Sequence, residues 1–447
     1  MLTAAQALAR ARRCRRMRRL RENALCASLA CAGCATMAWL GLYGLAWNDY
    51  DNEVRPAYEA LVQGHVLSFL RLAPAYGGSL IERAPFALIP GLWGGGTLAV
   101  YRAVALPCLL ATAMLGVWLT ARMRAEGRST LARAVALGVC VANPITLLTL
   151  EVGHPEEALG ACLCVAAVLV AASSSSARER SLLAGALLGL AIANKQWAVL
   201  AAGPVLLALP PGRRARGAAS ACVTSAAIML PLVLVSSGGF VADARTAGAP
   251  GANPIFQPWQ LWWFLGHHSA LVHGLFGTPK PGYRIGPAWT GVVSHPLVLA
   301  AGAALAAALW LRDGRKGALA RQSALLALAL ALLARCLLDT WDTSYYTLPF
   351  VLALLAWEVG RPTRNPPLLA LAASALVWLN FQWLGDHASA DVEAAVFLAW
   401  TVPLAAWLGV GLLGHGREAR ESRPASEEPV RAQETTVSAL GRPVRIS

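Results

Sequence analysis

The amino-acid sequence predicts an all-α protein that lies in a membrane, a polytopic bundle of about twelve spanning helices with one short helical hairpin among them. Three observations predict this fold class. Hydrophobic residues make up 57% of the chain and charged residues only 14%, whereas a soluble domain has about 25% charged residues. The apolar residues form long runs, and the arginines cluster between those runs, which is typical of a membrane protein.

The individual spans follow from the apolar runs, because a helix needs about 20 residues to cross the hydrocarbon core. The runs lie near residues 24–46, 98–121, 131–150, 157–172, 218–235, 296–311, 321–338, 345–358, 367–384 and 391–413. The first run is longer than the apolar core of a signal peptide, which has about 7–15 residues. We therefore expect it to be retained as the first span.

The run 182–209 is a special case, because arginines flank it on both sides. Arg178 and Arg180 precede it and Arg213 follows it, and a single span cannot have both ends on one side of the membrane. The polar triplet 194–196 interrupts its middle. We therefore predict two short helices in a hairpin, with Lys195 at the turn.

The charge distribution predicts the topology. The chain has a net charge of +14, and its arginine clusters all fall on one side once the hairpin counts as two helices. By the positive-inside rule this side is the cytoplasm, and both termini lie there. We assign residues 1–22 to a basic cytoplasmic arm, 23–413 to the transmembrane domain with outer loops at 48–97 and 236–295, and 414–447 to a disordered cytoplasmic tail. No basic stripe is interleaved with aromatic residues, which disfavours nucleic-acid binding.

Two acidic segments on the predicted outer side are candidate sites. Asp49, Asp51 and Glu53 directly follow the first span, where carboxylates could activate a hydroxyl, hold a metal or merely solvate the helix end. Glu151 and His154 join two later spans. The Pro and Glu residues that follow them suit a helix start, but this explanation does not cover Glu151 or His154.

Two cations lie within apolar sequence on the same side. Lys195 is one of only three lysines in the chain, and an ionisable residue at membrane depth is by default a candidate for function, with snorkelling as the alternative. Arg335 is the exception to the arginine pattern. It could pair with Asp339 one turn later, or it could bind a lipid phosphate. Trp341 follows in the same segment.

Four short motifs carry a resemblance to a known family. They are Asp49-Tyr50-Asp51 leading into Pro56-Ala57-Tyr58-Glu59-Ala60-Leu61 and Gly64; Gly153-His154-Pro155-Glu156-Glu157; Leu187-Leu188-Gly189-Leu190-Ala191 followed by Lys195; and Asp339-Thr340-Trp341 followed by Tyr345, Tyr346 and Pro349. In their order and topology, over most of residues 24–413, the chain resembles the C-type (GT-C) membrane glycosyltransferases. It is most similar to the mannosyltransferase-like family 87 found in bacteria.

The resemblance implies a glycosyltransferase in the bacterial plasma membrane that moves a mannose-like hexose or a pentose, with inversion, from a polyprenyl phosphate to a lipid or glycan acceptor on the outer face. Asp49 would be the general base, with Asp51 as a rival. Basic residues such as Lys195, Arg335 or His154 would hold the donor phosphate.

Glu53, Glu151, Asp339 and Trp341 complete the predicted substrate-binding set. No cofactor is expected, although the acidic segment after the first span could hold a divalent metal.

Other classes of protein fit the sequence less well. A multispan transporter or lipid flippase would explain the spans, the hairpin and Lys195. It would not explain why carboxylates gather in the outer loops rather than at mid-membrane. A structural scaffold would explain none of the charged residues in apolar surroundings. A glycosyltransferase is therefore the function that the sequence favours.

Overall fold

The computed structural model describes residues 4–41, 49–74, 76–173, 176–236, 256–268, 282–315 and 317–421, together with Gly238 and Val241. Its α-helices are α1 (Ala4–Gly41), α2 (Arg55–Val62), α3 (Val66–Leu72), α4 (Gly78–Ala87), α5 (Thr97–Ala125), α6 (Thr130–Val141), α7 (Pro144–Val152), α8 (Glu156–Ala171), α9 (Ala177–Asn194), α10 (Ala202–Ala208), α11 (Arg214–Val235), α12 (Ala288–Leu309), α13 (Arg321–Leu338), α14 (Thr347–Gly360), α15 (Leu368–Trp378), α16 (Gly385–His387) and α17 (Ala390–Glu421).

Short turns and one small sheet connect these helices. Strands β1 (His267–His268) and β2 (Arg284–Ile285) pair antiparallel, with His267 opposite Ile285. The π-helical and 3₁₀ turns are Tyr50–Val54, Pro90–Trp93, Gln196–Ala201, Pro211–Arg213, Trp263–Leu265, Trp310–Gly314, Ser344–Tyr346 and Leu379–Leu384. The predicted all-α membrane fold is confirmed.

Seven helices of the described residues are long and apolar enough to cross a membrane. They are Thr97–Ala125, Thr130–Val152, Pro211–Val235, Ala288–Gly314, Arg321–Leu338, Leu368–His387 and Ala390–Gly414. The predicted runs near 157–172 and 345–358 form the shorter helices α8 and α14 instead. The number of about twelve spans therefore stays a prediction, and residues 42–46 of the first run lie outside the described residues.

The helices form a buried centre and an apolar outer layer. Nearly every side chain of α14 is buried, and most of those of α8 and α13 are buried as well. In contrast, only 11% of the apolar stretch in Pro211–Val235 and 17% of that in Ala288–Gly314 is buried. Because apolar side chains are tolerated on the outside only where lipid replaces water, α11 and α12 face the hydrocarbon.

The predicted hairpin is present. Helix α9 ends at Asn194, Lys195 adopts an extended backbone, and a 3₁₀ turn leads into α10. Ser181 near the start of α9 and Leu209 just after α10 both lie beside Gly217 of α11. After the hairpin, the chain therefore returns to the same end of the bundle at which α9 begins.

The two ends of the bundle differ in charge. At the end where the hairpin begins and finishes, Arg214 donates to the carbonyl oxygens of Gly314 (2.9 Å) and Gly317 (2.7 Å), which belong to the arginine-rich segment before α13. Lys195 lies at the turn of the hairpin and Arg335 in the last turn of α13. The candidate site residues therefore lie at the end of the bundle opposite these arginine-rich segments.

Close contact between α9 and α11 depends on small residues. A Cβ atom on Gly185 would overlap the carbonyl oxygen of Gly217, and one on Gly189 would overlap that of Ala221. The four residues lie at a spacing of four on both helices, which is the small-residue pattern that brings membrane helices together. This packing holds the hairpin against α11.

We expect Gly189→Ala to destabilise the folded protein by about 1–3 kcal/mol, because the new methyl group overpacks a backbone contact. Gly138→Ala is the matched control. Both glycines are helical, but a Cβ on Gly138 would meet no heavy atom within 4 Å. Thermal unfolding of the detergent-purified variants measures the difference, and equal melting temperatures would contradict the close contact.

Candidate active site

A cavity of about 430 Å³ lies where the hairpin turn meets α12, α13 and the segments that follow Asp49 and α7. Its lining residues are Glu53, Tyr76, His154, Glu157, Lys195, Gln196, Trp197, Leu200, His295, Val298, Leu299, Arg335, Asp339, Trp341, Tyr345 and Tyr346. Charged and aromatic side chains alternate around it, and an apolar patch lies on the side of α12. Such a mixture suits a ligand with one polar and one apolar part.

A tight turn between α7 and α8 places His154 in this cavity. Gly153 has a φ of +105°, a conformation that costs other residues energy. A Cβ atom there would also lie 2.5 Å from the backbone nitrogen of Tyr50. The turn is therefore pressed against the segment that begins at Asp49, and this contact brings His154 beside Asp49.

The ring of His154 connects two carboxylates. Its Nε2 lies 3.1 Å from Oδ2 of Asp49, and its Nδ1 lies 2.8 Å from Oε1 of Glu156. Burial, and next the ammonium of Lys195, would lower the pKa of His154, but the hydrogen bonds to Asp49 and Glu156 outweigh both and raise it to about 9. At neutral pH the ring is therefore a cation that donates to both carboxylates.

Two buried carboxylates at the start of α8 organise the cations of the site. Glu156 is fully buried, and its oxygens lie 3.2 Å from Nζ of Lys195 and 3.2 Å from Nη2 of Arg83. Glu157 is fully buried as well. It lies 3.9 Å from Lys195 and 3.5 Å from Nη1 of Arg335. Lys195 and Arg335 are therefore neighbours that share one carboxylate.

Aromatic rings hold these two cations from the other sides. The ammonium of Lys195 lies 3.9 Å from the ring centre of Tyr76. The guanidinium of Arg335 lies 3.8 Å from the ring centre of Tyr346 and 4.9 Å from that of Trp197. Cation–π contacts are strongest where water is excluded, so the rings keep the cations ordered at the cavity wall.

The wall next to α12 carries a second pair of histidine and aspartate. Nε2 of His295 lies 3.2 Å from Oδ1 of Asp339, and the same oxygen accepts the backbone N–H of Trp341 at 2.9 Å. The Trp341 ring packs edge-on against His295. Together these residues offer a polar edge and an aromatic face to the cavity.

The structure brings together most of the residues that the sequence singled out. Glu53, His154, Lys195, Arg335, Asp339 and Trp341 line the cavity. Asp49 contacts this set through His154, and 28% of its side chain is exposed. The other two predicted residues do not line the cavity. Asp51, in the turn Tyr50–Val54, contacts Arg55 at 3.3 Å, and Glu151 is exposed at the end of α7.

Several site residues escaped the sequence analysis. From the sequence, Glu156 and Glu157 are interpreted as ordinary residues of a helix start. Both are in fact buried and form ion pairs. Arg83 is 1% exposed and pairs with Glu156 from a segment with no spanning run. Tyr76 and His295 gave no signal, because neither belongs to a charged or polar motif in the sequence. Only Arg83, as an arginine outside the arginine clusters, could have been noticed.

The carboxylates of the acidic segment contact other side chains, Asp49 contacting His154 and Asp51 contacting Arg55. In the part of the chain that the structure describes, no group of three or more His, Cys, Asp or Glu side chains is arranged to hold a metal ion.

Comparison with known families decides the class of this protein. The model of glycosyltransferase family 87 matches residues 78–336, more than half of the chain. The chain belongs to glycosyltransferase family 87. Among curated proteins, none matches the chain significantly. The family and the apolar helices together make the protein a membrane glycosyltransferase. The matched residues include His154, Lys195 and Arg335, whereas Asp49, Asp339 and Trp341 lie outside them.

From the raised pKa of His154 we predict how the stability of this family 87 protein depends on pH. Because the pKa of His154 is raised from 6.5 to about 9, its protonation stabilises the folded state fully below pH 6.5. This stabilisation, at most about 3 kcal/mol, is lost as the pH rises towards 9. Thermal unfolding in detergent should therefore show a decline between pH 6.5 and 9 that is smaller in His154→Gln, where the buried Glu82, whose pKa is raised to about 8, still contributes. The same decline in both proteins would mean that His154 is neutral.

Proposed function

We propose that this family 87 enzyme transfers a mannose-like hexose or a pentose from a polyprenyl-phosphate donor to a hydroxyl of a lipid or glycan acceptor, with inversion at the anomeric carbon. The observation that carries the proposal is a single cavity with two neighbouring cations, Lys195 and Arg335, on one side and the Asp49–His154 pair at its edge. The reaction would take place on the outer face of a bacterial plasma membrane, with both termini in the cytoplasm.

Lys195 and Arg335 are suited to hold the phosphate of the donor. When the sugar leaves, the phosphate gains a second negative charge, and cations ordered before the reaction stabilise that charge without reorganising. Both cations contact Glu157 and an aromatic ring, which fixes them at the wall. The guanidinium of Arg335 supplies a planar pair of donors that matches phosphate oxygens.

The apolar patch of the cavity supports a lipid-linked donor. Leu200, Val298 and Leu299 line it on the side of α12, the helix whose outer surface faces hydrocarbon. A polyprenyl chain is soluble only in that environment. A nucleotide sugar has no alkyl chain that would use this apolar patch, because its leaving group is a water-soluble nucleotide.

Asp49 is suited to act as the general base. It is partly exposed, so an acceptor hydroxyl can reach it, and its carboxylate can take the proton of that hydroxyl. The hydroxyl oxygen then attacks the anomeric carbon as the bond to the phosphate oxygen breaks. In such a single displacement the attacking and leaving groups lie on opposite faces of the sugar, so the configuration inverts.

We expect Asp49→Asn to lower the rate of transfer about 10²- to 10⁴-fold, which is the usual effect of removing a general base. The assay incubates membranes that contain the protein with radiolabelled polyprenyl-phosphate sugars and measures transfer to lipid or glycan. Asp51→Asn is the matched control, two residues away but directed at Arg55, and it should cost much less. If Asp51→Asn abolishes transfer and Asp49→Asn does not, the base is Asp51.

We expect Lys195→Met to raise the donor KM, because one of the two cations for the phosphate is lost, while Lys195→Arg should retain part of the activity. Initial rates at varied donor concentration separate KM from kcat. Gel filtration in detergent shows that each variant is folded. If Lys195→Met matches the parent enzyme, Lys195 has a structural role only.

A further inference from the structure

Tyr76, a lining residue of the cavity, contacts side chains from two separate segments of the site. It lies between α3 and α4, and its hydroxyl donates to Oε2 of Glu53. The ammonium of Lys195 lies 3.9 Å from the centre of its ring, and the ring of His154 meets it edge-on at 6.2 Å. One side chain thus contacts the segment after Asp49 and also the cation at the hairpin turn.

Two glycines explain how Tyr76 reaches this position. A Cβ atom on Gly78 would overlap the carbonyl oxygen of Ala193, and one on Gly77 would lie 2.8 Å from the carbonyl oxygen of Pro74. The backbone after Tyr76 is therefore pressed against the last turn of α9, two residues before Lys195. This close approach places the aromatic ring against the ammonium.

The hydroxyl of Tyr76 is a donor at every working pH. Burial, and next the negative charge of Glu53, raises the pKa of Tyr76 well above its ordinary value. A protonated hydroxyl beside a carboxylate forms a charge-assisted hydrogen bond, which is stronger than a neutral one. Glu53 belongs to the π-helical turn Tyr50–Val54, which starts at the residue after Asp49.

We propose that Tyr76 is a positioning residue for transfer, with two separable actions. Its hydroxyl holds Glu53 and so orients the turn that directly follows Asp49, and its ring holds the ammonium of Lys195 toward the donor phosphate. This inference rests on the proposed function. The hydroxyl acts on turnover and therefore on kcat, whereas the ring acts on donor binding and therefore on the donor KM.

The hydroxyl is tested by Tyr76→Phe, which keeps the ring. We expect kcat to fall about tenfold, the effect of losing one hydrogen bond to a charged group, with the donor KM unchanged. Glu53→Gln keeps an acceptor for the hydroxyl but removes its charge, so it should lower kcat in the same direction by a smaller factor. The double variant should be no worse than Tyr76→Phe, because both substitutions act on one interaction.

The ring is tested by Tyr76→Leu, which removes both actions. We expect it to show the lower kcat of Tyr76→Phe and also a donor KM raised about 3- to 30-fold, the range of a cation–π contact. In a Lys195→Met background, Tyr76→Leu should add nothing to the donor KM. Tyr283→Phe is the matched control for Tyr76→Phe. The Tyr283 hydroxyl also donates to a side chain, Gln257 at 3.1 Å, but it lies outside the cavity.

The outcomes separate the two proposals. If the parent enzyme transfers no sugar from any polyprenyl phosphate, the proposed function fails. If the parent is active but the effects of Tyr76→Phe and Glu53→Gln multiply in the double variant, the coupling through the hydroxyl is refuted. If Tyr76→Leu raises the donor KM equally with and without Lys195, the ring does not act through the ammonium and that half of the inference is overturned.

Discussion

Two adjacent buried carboxylates, Glu156 and Glu157, are the constraint on which the rest of the structure depends. A buried carboxylate is stable only if cations or hydrogen bonds replace the water that it loses. Here the cations come from four different places in the chain: Arg83, His154, Lys195 and Arg335. Meeting this requirement draws α4, α8, the hairpin turn and α13 together at one point.

The break in the hairpin follows from the same requirement. Lys195 leaves the helical conformation with an extended backbone, which directs its ammonium to the start of α8. The neighbouring Asn194 donates to the carbonyl oxygen of Glu156 at 2.8 Å. Both interactions belong to the turn, so the position at which α9 stops is determined by α8 as well as by its own sequence.

Much of this arrangement could be predicted from the sequence, and the exceptions have a physical reason. The hairpin was predictable because two arginine clusters flank a run with a polar interruption, and Lys195 and Arg335 were conspicuous as cations in apolar sequence. Glu156 and Glu157 were assigned to an ordinary helix start, because a local pattern cannot show whether a carboxylate faces water or another helix. Tyr76 and His295 depend entirely on tertiary contacts, and such contacts leave no local pattern.

The ion pair between Arg335 and Glu157 also has a consequence for how the protein is made. The two residues are 178 positions apart, and the carboxylate is synthesised first. Glu157 therefore enters the membrane region long before Arg335 exists, while Arg83, which precedes both, is already present to compensate Glu156. The central helix α8 can reach its final position only after α13 has left the ribosome, so completion of the cavity is a late event in biogenesis.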